Sequence, residues 1–174
     1  MKKLAKLFIA TLFIAVVFRS CKKGDSNNSS AFFMKFNANG TNVSFNNCVE
    51  VTATVGTTPV ILITGNNLNK DKVSDNSFEV EISHDPLTIA AGQTYPAATI
   101  FGQTESSTLI YFLSDSDFNT TQPGSAQGTV TITEVNASLI KGTFSGKLFA
   151  HDDFNGEHVT YTVTNGSFSA QRGN

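Results

Sequence analysis

The chain has 174 residues, of which 40% are hydrophobic, and its 12 basic and 14 acidic side chains leave a formal net charge of −2. That length fits one domain able to bury a core of its own, and the acidic balance leaves no basic face for nucleic acid. With two cysteines and no tryptophan, the chain has to draw its stability from packing rather than from disulfides.

The first twenty residues fall into three zones. Lys2, Lys3 and Lys6 form a basic start, Leu7 to Phe18 an apolar stretch, and Arg19 and Ser20 a polar close. This is the layout of a secretory signal. Twelve apolar residues in a helix reach roughly 18 Å, short of the ~30 Å hydrocarbon layer, so a permanent membrane span is the weaker reading. The segment Phe18-Arg19-Ser20-Cys21 that follows resembles the lipobox of bacterial lipoproteins, with Phe at a position where Leu is usual and Arg where a small uncharged residue is usual. The resemblance implies a diacylglyceryl group on the Cys21 thiol, cleavage after Ser20 and acylation, palmitate among the chains, of the new amino group. The alternative is an incidental thiol behind an ordinary signal. Each buried methylene contributes about 0.8 kcal/mol, and two or more chains hold a protein stably on its membrane.

Residues 1–20 are thus expected to be a signal peptide. Residues 21–31 are expected to be the lipidated cysteine with a flexible tether, because Lys22 to Ser30 holds no apolar side chain. Residues 32–174 are expected to be a single β domain. Without its signal the chain would keep eight Lys and Arg against fourteen Asp and Glu, a net charge of −6.

From Phe32 onward strand follows strand, and no stretch keeps a helical period for three turns. Met34 and Phe36 alternate with Phe33, Lys35 and Asn37; Asn39-Gly40 then supplies the two residues of a type I′ turn, and Val43 and Phe45 resume. Cys48 is expected to be a half-buried strand residue. Val60 to Ile63 and Leu109 to Leu113 are continuous apolar runs that read as central strands covered on both faces. Phe78, Val80 and Ile82 alternate with Glu79, Glu81 and Ser83, and Val130 and Ile132 with threonines, which places one face of each in water. Phe144 and Leu148 oppose Thr143, Ser145 and Lys147. Val159, Tyr161 and Val163 alternate with threonines, after which Asn165-Gly166 reads as another tight turn before a short closing strand at Phe168 and Ala170. Nine or ten strands of this kind predict an all-β antiparallel sandwich, with a closed antiparallel barrel as the alternative.

Three segments, FFMKFNANGTNVSF, GTVTITEVNASLIKGTFSGKLF and VTYTVTNGSFSAQ, resemble a family of bacterial cell-envelope lipoproteins with a single all-β domain. Such domains open on an Asn-Gly hairpin and close on G-T-F-S and T-N-G-S-F strands. The resemblance spans most of Phe32 to Gln171 and rests on turn and strand signatures. It implies an envelope lipoprotein and brings no catalytic residue with it.

Candidates for chemistry each have a plainer reading. His151, Asp152, Asp153, Glu157 and His158 could in principle hold a divalent ion, but Asn155-Gly156 accounts for the segment as a hairpin turn with solvated acids. Asp115, Asp117 and Asn119 copy the start of a calcium loop that lacks its glycine at Thr120 and its bidentate glutamate at Ala126. Gly142-Thr-Phe-Ser-Gly146 places its serine one position late for a nucleophile elbow and in mid-strand. A triad of Ser145 with His84, His151 or His158 would have to be assembled in space. Glu79 and Glu81 lie two apart on a strand face where solvation is the ordinary explanation. Tyr95, Tyr111 and Tyr161 do not form the flat platform on which sugars stack, and the phenylalanines read as core.

No catalytic residue, metal or cofactor is therefore expected, and Cys21, as the lipidation site, is the functional residue. The expected function is a non-enzymatic envelope lipoprotein, held by its lipid on the outer membrane, that presents a β-sheet surface to an envelope protein or polysaccharide. The alternatives are a barrel-type carrier of a small apolar ligand and, third, a hydrolase.

Overall fold

The computed structural model describes residues 31–55, 58–67, 76–84, 88–100, 103–113, 116–121, 126–150, 153 and 158–173. The signal and tether expected before residue 31, Cys21 included, lie outside them. The described residues form eleven strands and no helix: β1 (Phe33–Ala38), β2 (Thr41–Phe45), β3 (Asn47–Val55), β4 (Thr58–Asn66), β5 (Asn76–Ser83), β6 (Thr94–Pro96), β7 (Ser106–Leu113), β8 (Ser116–Asn119), β9 (Gly128–Val135), β10 (Leu139–Ala150) and β11 (Val159–Arg172).

The opening hairpin forms at the expected place. Ala38 pairs with Thr41, and Asn39 and Gly40 between them take φ of 48° and 86°, the left-handed region that Asn and Gly tolerate best. Asn39 also clamps the turn onto β11: its Nδ2 donates to the Thr160 carbonyl and its Oδ1 accepts from the Thr162 amide, both at 2.8 Å.

All eleven strands belong to one hydrogen-bonded sheet, but its long ladders divide it into two layers. One layer runs β2-β1-β11-β10-β9-β6 and the other β3-β4-β5-β7-β8. The layers pack face to face: Phe36 of β1, which has no ladder to β5, sits 4.4 Å from the Phe78 ring of β5, and Phe144 of β10 lies 5.1 Å from the same ring. Short ladders stitch the corners. Phe149 and Ala150 of β10 pair with Asn119 and Phe118 of β8, and a parallel ladder joins Gln171 and Arg172 to Val49 and Glu50. The result is all-β, as expected, a sandwich whose corners close it towards a barrel. Eleven strands rather than nine or ten, and one parallel ladder among antiparallel ones, are the differences; the parallel contact arises because β11 runs on past β1 to reach β3.

Between the layers the side chains interlock. Phe36, Phe45, Phe78, Tyr111, Phe144 and Phe168 are all buried, and Phe36 touches four aromatic rings. Burying each large apolar side chain contributes roughly 1.5 to 3 kcal/mol, and aromatic pairs about 0.5 to 1.5 more. Two G-x-F segments meet crosswise. Gly142 of β10 pairs with Phe168 of β11, and Phe144 of β10 with Gly166 of β11. Each ring covers the opposite glycine: a Cβ on Gly166 would stand 2.5 Å from Phe144 Cδ2, and one on Gly142 would overlap the tip of Phe168.

The second Asn-Gly pair behaves differently from its sequence reading. Asn165-Gly166 is not a turn; β11 runs through it for fourteen residues. Asn165 is left-handed, at φ 54°, and the register with β10 slips between Phe144 and Gly146. The pair makes a bulge because β1 and β10 hold β11 from both sides here, which keeps the chain extended.

Candidate functional site

The outer face of the six-stranded layer is mostly polar, with the half-buried Phe33 its aromatic exception. Buried Met34 and Phe36, Val163 and Phe168, Phe144 and Leu148, and Val130 and Ile132 point inward, so the residues between them point out. The register lines up Ser44, Lys35, Ser167, Thr143, Thr131 and Thr94 in one row across all six strands. A parallel row begins with Asn42, Asn37 and Thr164 and resumes beyond the bulge with Ser145 and Thr129. Where the bulge widens the β10–β11 ladder, a shallow groove of about 550 Å³ opens, lined by Thr129, Thr143, Ser145, Thr164, Asn165 and Ser167 together with Phe144 and Gly166. The Ser167 Oγ is buried and has no hydrogen-bond partner. Lys35 stands beside Ser167, and Lys147 lies two residues beyond Ser145. Lys141 is held by Glu134 at 2.7 Å.

The opposite layer distributes its groups otherwise. Its outer face carries Leu62, Thr64, Thr108 and Ile110 around Glu79 and Glu81, which face the same way from β5. These two carboxylates are not on a solvated face. Glu81 is 9% exposed and Glu79 is half-buried. They are shielded because β5 lies between β4 and β7, whose side chains flank the carboxylates on both sides. Burial pushes the Glu81 carboxyl up to about 7, with the Glu79 charge adding to it. Burial raises Glu79 as well, opposed by a 3.2 Å hydrogen bond from Thr64 Oγ1. At the end of the sandwich Glu50, 3% exposed, points to the interior side and accepts from Arg172 Nε at 3.3 Å; Arg172 also donates to the Asn136 carbonyl. The alternation of β3 alone does not reveal this pair, because its partner is 122 residues away.

The other sequence candidates take structural positions. Cys48 is fully buried, beyond the half-burial expected of it, and burial pushes its thiol up to about 12. Asp117 and Asn119 sit on strand β8 rather than in a loop, and Asn119 Oδ1 accepts from the Thr121 amide at 3.0 Å; Asp115 lies outside the described residues. So do His151, Asp152 and Glu157. The described ends of that loop are tied: Asp153 N donates to the Ala150 carbonyl at 3.0 Å, and its Oδ2 accepts from the His158 amide at 2.9 Å. Among the described residues no three His, Cys, Asp or Glu side chains gather as a metal site would require. His84 packs edge-on against Tyr95 and stands 2.6 Å from Glu105, whereas Ser145 faces out of β10 into a groove lined by no histidine. Tyr95 and Tyr111 are buried, and Tyr161 packs against Tyr111 and Phe118.

No family model, curated protein or solved structure matches this chain. The residues above therefore carry the functional argument.

Proposed function

We propose that this protein is a lipid-anchored envelope protein that works without catalysis, as a module presenting the outer face of its six-stranded layer to another macromolecule. The observation that carries the reading is the contrast between inside and outside. Interlocked rings fill the space between the layers, where a barrel-type carrier would need room for its ligand. Outside, a broad hydroxyl-rich face carries a groove at its bulge. The anchor rests on the sequence: a basic start, an apolar stretch too short to span, and Cys21 in a lipobox-like setting.

Two measurements test the two halves. Cys21→Ser should abolish lipid labelling and release the protein from the membrane fraction; unchanged fractionation of the variant refutes the anchor. Residues 22–174, which contain all the described strands and the core they bury, should co-sediment saturably with washed envelopes stripped of the native protein. Absence of saturable co-sedimentation refutes the surface role.

A further inference from the structure

The geometry points to an acidic glycan as the ligand of the hydroxyl face: a carbohydrate chain bearing carboxylates that lies across β1, β11, β10 and β9. Its hydroxyls would meet Thr143, Ser145, Thr164 and Ser167 in the groove, and its carboxylates Lys35 and Lys147 beside it. The assignment rests on the macromolecule-binding reading above and names the partner's chemistry.

Serine and threonine hydroxyls both donate and accept, so a lattice of them suits a ligand whose own groups do the same, which describes a sugar better than a peptide or an acyl chain. Strands lie about 4.8 Å apart, so the row from Ser44 to Thr94 is roughly 24 Å long, the length of a polymer site rather than of a single small molecule. An added peptide strand cannot use this surface, because the backbone groups of β11, β10 and β9 are already committed to ladders on both sides.

Thr164 and Asn165 together face Ser145 where the register slips, and the left-handed Asn165 opens the ladder into the groove. Ser167, in the wall of that groove, holds a buried hydroxyl with no partner. Such groups are uncommon in folded proteins, and a ligand hydroxyl in the groove would supply the partner.

Charge decides between neutral and acidic sugars. The chain as a whole is acidic, yet among the described residues the strands of this face carry Lys35, Lys141 and Lys147 against one carboxylate, Glu134, which Lys141 neutralises; Asp153 lies beyond the end of β10, accepting from the His158 amide. Glu79, Glu81 and Asp117 belong to the opposite layer, and Glu50 is turned inward to Arg172. Lys35 and Lys147 make no ion pair with a described residue; Lys35 lies 5.2 Å over the Phe33 ring. Nucleic acid fits less well, since among the described residues Lys35 and Lys147 are the cations of this face outside an ion pair, few for a phosphate backbone.

The test uses residues 22–174 with oligogalacturonate, a neutral gluco-oligosaccharide of equal length, and phosphatidylglycerol vesicles. Oligogalacturonate should bind saturably, and more weakly as salt screens the lysines. Lys35→Ala with Lys147→Ala should weaken it by about tenfold, in line with one or two weak ion pairs lost. Ser167→Ala should weaken binding by several-fold while leaving the melting temperature unchanged or raised, a combination that a merely structural serine would not produce. Ser116→Ala on β8, in the opposite layer, should leave binding unchanged. Equal binding of the neutral sugar, binding to vesicles alone, or no binding to any probe overturns the assignment. If envelopes still sediment the protein while oligogalacturonate does not bind it, the glycan assignment falls and the macromolecular role stands; if neither occurs, both fall.

Discussion

Gly142→Ala should destabilise the protein through the ring it displaces, although alanine is the better residue for an extended chain. On the unfolded side the substitution reduces backbone freedom and stabilises by about 0.4 to 1 kcal/mol. Against that, the new methyl would overlap the tip of Phe168 and stand 2.6 Å from the Thr131 carbonyl oxygen, and forcing a methyl into a filled site costs typically ~1 to 3 kcal/mol. The net expectation is a loss of about 1 to 2 kcal/mol. The ring's share can be isolated with Phe168→Leu, which removes the tip atoms and by itself costs about 1 to 2 kcal/mol. In that background Gly142→Ala should cost about 1 kcal/mol less than in the wild type, since only the carbonyl contact persists. All three variants stay within the ~5 to 15 kcal/mol typical of a domain this size. Urea unfolding followed by far-ultraviolet circular dichroism supplies the cycle, provided the m-value holds constant. A stabilising Gly142→Ala, or additivity within about 0.3 to 0.5 kcal/mol, would refute the crosswise pairing of Gly142 with Phe168.

Glu81→Gln should stabilise the protein near pH 8 and leave it nearly unchanged near pH 4. The folded carboxyl is raised from 4.5 to about 7, so between those values the folded state holds a proton that the unfolded chain has released. Stability therefore falls as pH rises through that window, by up to about 3 kcal/mol, and the glutamine variant should lose most of that slope; an unchanged slope in urea titrations across pH counts against burial of this carboxylate. Arg172→Ala should cost on the order of 1 to 3 kcal/mol by leaving buried Glu50 without its partly exposed partner, and Arg172→Ala with Glu50→Gln should recover part of that loss. Failure of the second substitution to help would show that the corner is held by backbone pairing rather than by charge. Ser145→Ala should shift stability by less than about 0.5 kcal/mol while Phe144→Ala costs about 3 to 5, read from the same melts; equal costs would overturn the facing of β10. Native Cys48 should resist a thiol reagent at pH 8, reacting only as the fold opens; rapid labelling would contradict its burial.

Much of the architecture is legible in local pattern, because a strand with one face in the core writes its facing at period two. Met34 and Phe36, Phe78 and Val80, Phe144 and Leu148 fall inside as their alternation requires. The apolar runs at Val60–Ile63 and Leu109–Leu113 belong to β4 and β7, both flanked by strands on either side, but they are not covered on both faces as expected: Leu62, Ile110 and Phe112 on the outer face are only half-buried, because the opposite layer covers one face alone. Asn39-Gly40 makes the hairpin its residues favour. Tertiary structure alone decided the rest. The same dipeptide at Asn165-Gly166 became a bulge, since a local preference for left-handed backbone serves either purpose and the neighbouring β1 and β10 choose between them. Glu79 and Glu81 alternate with core residues as solvated groups would, and only the strands on both sides of β5 and the side chains they bring determine that Glu81 is buried. The parallel closure of Arg172 on Glu50 and the groove between β9, β10 and β11 likewise depend on residues far apart in sequence. Periodicity reports which way a side chain points; what lies opposite it is set by contacts between distant segments, which no local window contains.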